Sequence, residues 1–307
     1  TRLFLDTCAW GKNNRPFVDM DVQHLSYYFP YGKHAGMYDD TENLLAANVD
    51  ENEPMKVSDE TLEIVRDLYF KVPLIAHEVC HYTALRDFYS LKEKFLKSGA
   101  PAPWWVDEEI KLVEEKGYKD IFGEMFKASK RFQFACWKAA YEEMRKSSLL
   151  GGFHFLQFAD TDAYENSNGI VDCFDDETCV TPGEFLKFNG DRVIIADLHA
   201  RNYFCDEQIS FPVYFSNLGE DGEKRADLFV SVESGENVYC SCGMKNLDVS
   251  RKGSYRLCKV KIKTPKKAGV YRLKIKLTVG GEIYSDNEWT LWVYEKNIEK
   301  RGYKDFV

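Results

Sequence analysis

The chain has 307 residues, enough for two domains of ordinary size, and its 44% apolar and 15% aromatic content can supply their cores. Its 41 basic and 50 acidic side chains leave a net charge of −9, which argues against nucleic acid or an anionic membrane as the main partner. No apolar run approaches the length of a membrane span, and nine scattered cysteines without a disulfide-framework spacing favour free thiols in a reducing, cytoplasmic compartment.

The first part of the chain alternates short apolar strands with amphipathic helices. Thr1 to Asp6 reads as a strand, and so does Asp21 to Leu25, followed by Ser26-Tyr27-Tyr28. Ser58-Asp59-Glu60 opens a helix with Leu62, Val65 and Leu68 on one face. Pro73 to Glu78 is too short for a helix and rich in branched aliphatics, so it reads as a buried strand ending in a carboxylate. A helix is expected from Ala84 to Ser98, and another capped by Asp107 and stopped by Gly117. A longer one is expected from about Ile121 to Lys146, with Phe126, Phe132, Cys136 and Ala140 inward and Trp137 in the core. Gly151 to Phe158 is a further strand, and Thr181-Pro182-Gly183-Glu184 is a capping box that opens a short helix. Strand and helix in alternation imply a parallel sheet.

From about Val193 the hydrophobic period changes to two. Gln208 to Phe215, Asp227 to Glu233, Tyr255 to Lys263, Tyr271 to Val279 and Trp289 to Tyr294 read as strands. Asn217-Leu218-Gly219, Lys266 to Gly269 and Gly280-Gly281 supply turns. Regular strands with no intervening helix suggest an immunoglobulin-like sandwich over 196–296, with 297–307 a linker or tail. Trp289 and Trp292 are an odd number of residues apart, so at most one of them can face the core. Cys240, Cys242 and Cys258 lack the spacing of a metal site and read as thiols on β-strands.

Glu78 stands where α/β barrels keep their chemistry, at the carboxyl end of a strand. Taken alone, it reads better as an ordinary solvated acid at the end of a buried strand. The order of several motifs changes this. Asp21-Val22 with Tyr27-Tyr28, Glu78-x-x-His81 and Gly151-Gly152-Phe153 follow one another as in glycoside hydrolase family 2, which holds β-galactosidases, β-glucuronidases and β-mannosidases. The chain resembles the C-terminal half of that family's (β/α)8 TIM barrel followed by an immunoglobulin-like domain, an α/β plus all-β organisation. Thr1 to Asp6 corresponds to the fifth barrel strand, Asp21 to Leu25 to the sixth, Pro73 to Glu78 to the seventh and Gly151 to Phe158 to the eighth. The sequence departs from the family at Cys80-His81 and at Phe155, which stands where a Trp is common. The first departure leaves the sugar preference open. Together the two departures fit either a changed pocket or a barrel that no longer catalyses.

The resemblance implies a retaining exo-β-glycosidase acting on terminal β-galactosides or β-glucuronides, with Glu78 as nucleophile. Retention needs two carboxylates about 5–5.5 Å apart. Tyr27 or Tyr28 would donate a hydrogen bond that keeps Glu78 ionised. His81 would bind a sugar hydroxyl, or is a helix-start histidine bonded to backbone. Trp10 would stack on a sugar ring and His34 would line the site from its loop, though His34 also fits plain solvation. The family's acid/base glutamate belongs to the fourth strand, upstream of this chain. Asp6, Asp160 and Asp162 are acids that could be recruited, but solvated or turn-forming roles explain them more simply. No cofactor or metal is called for. The expected partners are a carbohydrate substrate and either the missing N-terminal half of the barrel or a second copy through self-association. The other reading is a non-catalytic carbohydrate-binding or structural module.

Overall fold

The computed structural model describes residues 23–26, 74–146, 150–165, 167–219 and 224–296. The chain divides into two units, Thr1–Phe185 and Leu186–Val307. The strand that begins at Arg192 pairs within the second unit. The strand expected over Thr1 to Asp6, the helix expected after Ser58 and the tail 297–307 lie outside the described residues.

In the first unit, β1 (Gln23–Ser26), β2 (Leu74–Val79) and β3 (Leu150–Phe155) form a parallel sheet with β2 in the middle. Gln23 pairs with Leu74 on one side of β2, and Ala76 pairs with Phe153 on the other. Parallel neighbours need a long crossover, and the helices between β2 and β3 provide it. The first helix, α1 (Phe88–Ser98), starts later than expected. Asp87 caps it by accepting the Ser90 N–H, and Gly99 ends it at φ 76°. The residues before it leave the helix because Ala84 exchanges both backbone hydrogen bonds with Ser167, at 2.8 and 3.0 Å. Helix α2 (Trp104–Glu115) follows Pro103, so Asp107 lies in its first turn and is not its cap. Gly117, at φ 72°, follows its end.

Helix α3 (Phe122–Lys146) has the expected span but a different inner face. Trp137 and Ala140 are buried as expected, whereas Phe132 is 73% exposed. The buried stripe runs through Lys130, Gln133, Trp137, Ala140, Tyr141 and Met144. Polar residues are buried with it, Lys130 and Gln133 within the stripe and Glu142, Arg145 and Lys146 near its end, and they hide it from any count of apolar positions. Helix α4 (Pro182–Asn189) opens on the capping box: Thr181 N–H donates to Glu184 Oε2 at 3.1 Å and Glu184 N–H to Thr181 Oγ1 at 3.3 Å.

The second unit is a two-layer β structure. One layer has the order β4-β6-β9, from Arg192–Ala196, Gln208–Asn217 and Gly253–Lys263. The other has the order β5-β11-β10-β7-β8, from Asn202–Phe204, Glu282–Tyr294, Gly269–Val279, Arg225–Ser234 and Asn237–Asp248. All pairings are antiparallel except that of β5 with β11. The expected alternation is present: Tyr271, Leu273, Ile275 and Leu277 are buried, while Arg272 and Lys276 are exposed. One apolar core joins the layers, with Phe211, Val213 and Val260 from the first and Val230, Ile275 and Trp289 from the second. Trp289 is 1% exposed and Trp292 40%, as their spacing requires. Gly280 and Gly281, at φ 60° and 89°, make the tight turn between β10 and β11, a conformation that side-chain-bearing residues resist.

Strand β8 is not among the strands that the hydrophobic period marks, although Cys240 and Cys242 read as strand thiols. Cys240 and Cys242 lie on β8 and Cys258 on β9. Burial, then the neighbouring Cys242, pushes the Cys258 thiol up to about 11. The eight described cysteines are free, and among the described residues no cluster of His, Cys, Asp or Glu is arranged to hold a metal ion. No described helix is long and apolar enough to cross a membrane.

Candidate functional site

Glu78 is the last residue but one of β2, at the carboxyl end of the central parallel strand. Of Glu78 the described part is the backbone. Tyr27, Tyr28, Trp10, His34 and Asp6 lie outside the described residues. His81 is exposed and sits in a loop well before α1, so it does not begin a helix.

The chain turns sharply after β2. Cys80 has φ 67°, a left-handed conformation unusual for a residue with a side chain, and it is fully buried. Burial raises its thiol well above the ordinary range, and the nearby Cys136 adds to this, so the thiol is held protonated. The Cys80 carbonyl accepts two hydrogen bonds, from Tyr82 N–H at 2.8 Å and from Trp137 Nε1–H at 3.1 Å. The Tyr82 carbonyl accepts from Gln133 Nε2 at 2.5 Å, and Leu85 N–H donates to Ser129 Oγ at 2.9 Å. On the β3 side, Leu156 N–H donates to the Val79 carbonyl at 3.0 Å.

A buried polar cluster holds the loop after β3 against α3. Asp160 is 6% exposed, and its carboxylate accepts from Ser167 Oγ at 2.7 Å, Asn168 N–H at 2.9 Å and Gly169 N–H at 2.6 Å. Arg86 Nε lies 4.0 Å from the same carboxylate. Lys130 is fully buried and donates to Gln133 Oε1 at 2.6 Å, Ser167 Oγ at 2.9 Å and the Gly169 carbonyl at 3.0 Å. Burial lowers the Lys130 pKa, and the Asp160 carboxylate opposes that shift. Gly169 has no room for a side chain, since a Cβ would stand 2.4 Å from Asp160 N and 2.5 Å from the Val171 carbonyl. Asp160 is thus committed to anchoring its loop, while Asp162 is exposed.

A cavity of about 140 Å³ adjoins this cluster, lined by Arg86, Lys94, Phe126, Asp160, Asp172 and Glu177 among others. Most of its charges are already spent. Arg86 Nη1 donates to the Thr161 and Tyr164 carbonyls, both at 2.7 Å, and its guanidinium stacks 4.9 Å from the Trp105 ring centroid. Lys94 pairs with both Asp172 and Asp176. Trp105 is buried with its Nε1–H on the Asp162 carbonyl at 3.0 Å, which packs the loop, while Trp104 is 74% exposed. The sequence gives little warning of this cluster. Its one signal is the pair Lys130 and Gln133 at the spacing of the inward residues Trp137 and Ala140.

No family model matches the chain, and no curated protein matches it. Among solved structures it is similar to a β-D-mannosidase from Dictyoglomus thermophilum, at 12% identity and a TM-score of 0.47, over 89% of this chain and 38% of that one. It is similar also to a β-glucuronidase from glycoside hydrolase family 2, at 10% identity and a TM-score of 0.26, over 33% of this chain and 11% of that one. A CARDB domain from Pyrococcus furiosus, in complex with di-metal ions, is similar at 14% identity and a TM-score of 0.25, over 34% of this chain and 92% of that one. The chain spans well under half the length of the two glycosidases. Likenesses this faint carry no argument about activity.

Proposed function

We propose that the chain is part of a retaining exo-β-glycosidase, of galactoside or glucuronide type, in which Glu78 is the nucleophile. The observation that carries this reading is the position of Glu78 at the carboxyl end of the middle strand of a parallel sheet. Its neighbours are β1, which follows Asp21-Val22 in the sequence, and β3, which contains Gly151-Gly152-Phe153; this order of segments supports the C-terminal half of a (β/α)8 barrel. In such a site Glu78 attacks the anomeric carbon and the leaving oxygen departs with its electron pair, giving a glycosyl-enzyme ester that water later hydrolyses. Tyr27 or Tyr28 would hold the carboxylate ionised, His81 would bind a sugar hydroxyl, and Trp10 and His34 would contact the sugar. The proton donor would come from an upstream segment, because Asp160 is occupied by its own loop.

An immunoglobulin-like second domain is part of the same proposal. The layers β4-β6-β9 and β5-β11-β10-β7-β8 follow the order in which such sandwiches are wound. A tyrosine corner also supports it: Tyr271, near the start of β10, donates its hydroxyl to the Lys267 carbonyl four residues upstream at 2.7 Å.

The test uses 2,4-dinitrophenyl 2-deoxy-2-fluoro-β-glycosides of galactose, glucuronic acid and mannose. Their leaving group needs no proton donor, so forming the ester does not require the acid/base residue of the upstream segment. The expected result is a single sugar adduct on the peptide containing Glu78, and no adduct in Glu78→Gln. An adduct elsewhere would remove Glu78 from the mechanism. No adduct with any sugar would favour a non-catalytic carbohydrate-binding or structural role.

A further inference from the structure

Ser129, Gln133 and Trp137 lie four residues apart along α3, so their side chains stand one above another on a single face. They meet the segment after β2 in reverse order: Ser129 accepts from Leu85 N–H, Gln133 donates to the Tyr82 carbonyl, and Trp137 donates to the Cys80 carbonyl. An irregular loop lacks the regular partners of a ladder for its backbone groups, and here a helix face supplies partners at three successive points. We propose that these three are positioning residues, which fix the path of Cys80–Leu85 and thereby the carboxyl end of β2. The inference rests on the reading of Glu78 as nucleophile only for its catalytic consequence.

The geometry carries three further marks of a device for holding a precise path. Gln133 cannot turn over, because Lys130 donates to its Oε1 while its Nε2 donates to both the Tyr82 and Ser167 carbonyls, the latter at 2.7 Å. Gln133 therefore ties the loop after β2 to the loop after β3. Cys80 keeps a left-handed backbone, which persists in a residue with a side chain only where the surroundings hold it. His81 is exposed between two clamped carbonyls, those of Cys80 and Tyr82, so the ladder displays it toward solvent. A carboxylate must be held to within about half an ångström for chemistry, and this ladder fixes the backbone that follows Glu78.

The test compares Ser129→Ala, Gln133→Leu and Trp137→Phe with Ser129→Thr, which keeps the hydroxyl. Hydrogen exchange is followed over 79–86 and over the rest of the first unit. The expected result is exchange at least tenfold faster within 79–86 for the first three, little change elsewhere except around Ser167 in Gln133→Leu, and wild-type behaviour for Ser129→Thr. Unchanged exchange in 79–86, or equal acceleration throughout the unit, would overturn the proposal. The same variants are then treated with whichever fluoro-sugar labels the wild type. The inactivation rate constant should fall tenfold or more with an unchanged half-saturating concentration, a split that a loss of overall stability does not produce. An unchanged rate constant would refute the catalytic consequence. Wild-type protein that takes no label would refute the glycosidase reading, and the exchange comparison would still decide the positioning role.

Discussion

Replacing Asp160 by Asn removes one charge and changes almost no volume. In the native fold that carboxylate faces two buried cations, Arg86 at 4.0 Å and Lys130 through the shared Ser167 hydroxyl. The amide can still accept from Asn168 and Gly169 N–H with its one oxygen. It cannot also accept from Ser167, and it cannot balance the cations. Removing one partner from a buried charge cluster costs about 3–5 kcal/mol. The retained backbone hydrogen bonds put Asp160→Asn at the lower end, near 3 kcal/mol by the same reasoning. With a urea dependence of about 2 kcal/mol per molar, the midpoint for the first unit should fall by roughly 1.5 M. Hydrogen exchange over 156–171 should report the same loss. Adding Lys130→Met removes one stranded cation, so the double variant should lose less than the sum of the single variants. A single variant within about 0.5 kcal/mol of wild type, or strict additivity in the double, would refute this account of the cluster.

In the second unit, Trp289→Ala should cost about 3–5 kcal/mol by urea unfolding, and Trp292→Ala less than about 1, since the first is in the core and the second is 40% exposed. Tyr271→Phe should cost about 1 kcal/mol, because only the hydroxyl bond to the Lys267 carbonyl is lost and that exposed stretch can turn to water. Alkaline pH should weaken the same unit through Tyr255. Burial pushes its phenol up to about 12 from 10.0, with Asp248 and Tyr284 adding. The folded state therefore holds the proton longer than the unfolded chain does. Its contribution is full below pH 10, and it is lost as pH rises from there to about 12. The urea midpoint should fall over that window, and less steeply in Tyr255→Phe; equal slopes would exclude Tyr255 as the source.

What the sequence revealed depended on period. The strands of the second unit were legible because a half-buried antiparallel strand alternates, as Arg272 to Leu277 does residue by residue. Strand β8 was not, because its outer residues are mixed and its inner face is made of half-buried cysteines and Met244. The capping box at Thr181 was readable because both partners are local. The start of α1 is not legible in the sequence, since the pairing of Ala84 with Ser167 comes from a distant loop and leaves no trace in the residues nearby. The inner face of α3 excludes Phe132 for a related reason: polar side chains that serve other segments occupy that face. Glu78 was placed at a strand end by its apolar run alone. The residues that secure the chain beyond it are recognisable only once the helix lies alongside.

The edges of the second unit are finished unequally. Strand β4 turns its free side to β11, where Ser285 Oγ accepts from Ile194 N–H at 3.0 Å and Asn287 Nδ2 donates to the Ile194 carbonyl at 2.9 Å. Side chains there occupy backbone groups that an incoming strand would need. Strand β9 closes the other end of that layer with Lys259, Lys261 and Lys263, a run of like charge that repels a copy of itself. In the other layer β5 offers three residues, whereas β8 offers twelve, without proline and with Lys245 as its one basic residue. Lateral growth of this domain, in misfolding or in aggregation from a partly opened state, therefore has its least guarded starting point at β8, and a lysine at Ser241 would be the most economical barrier against it.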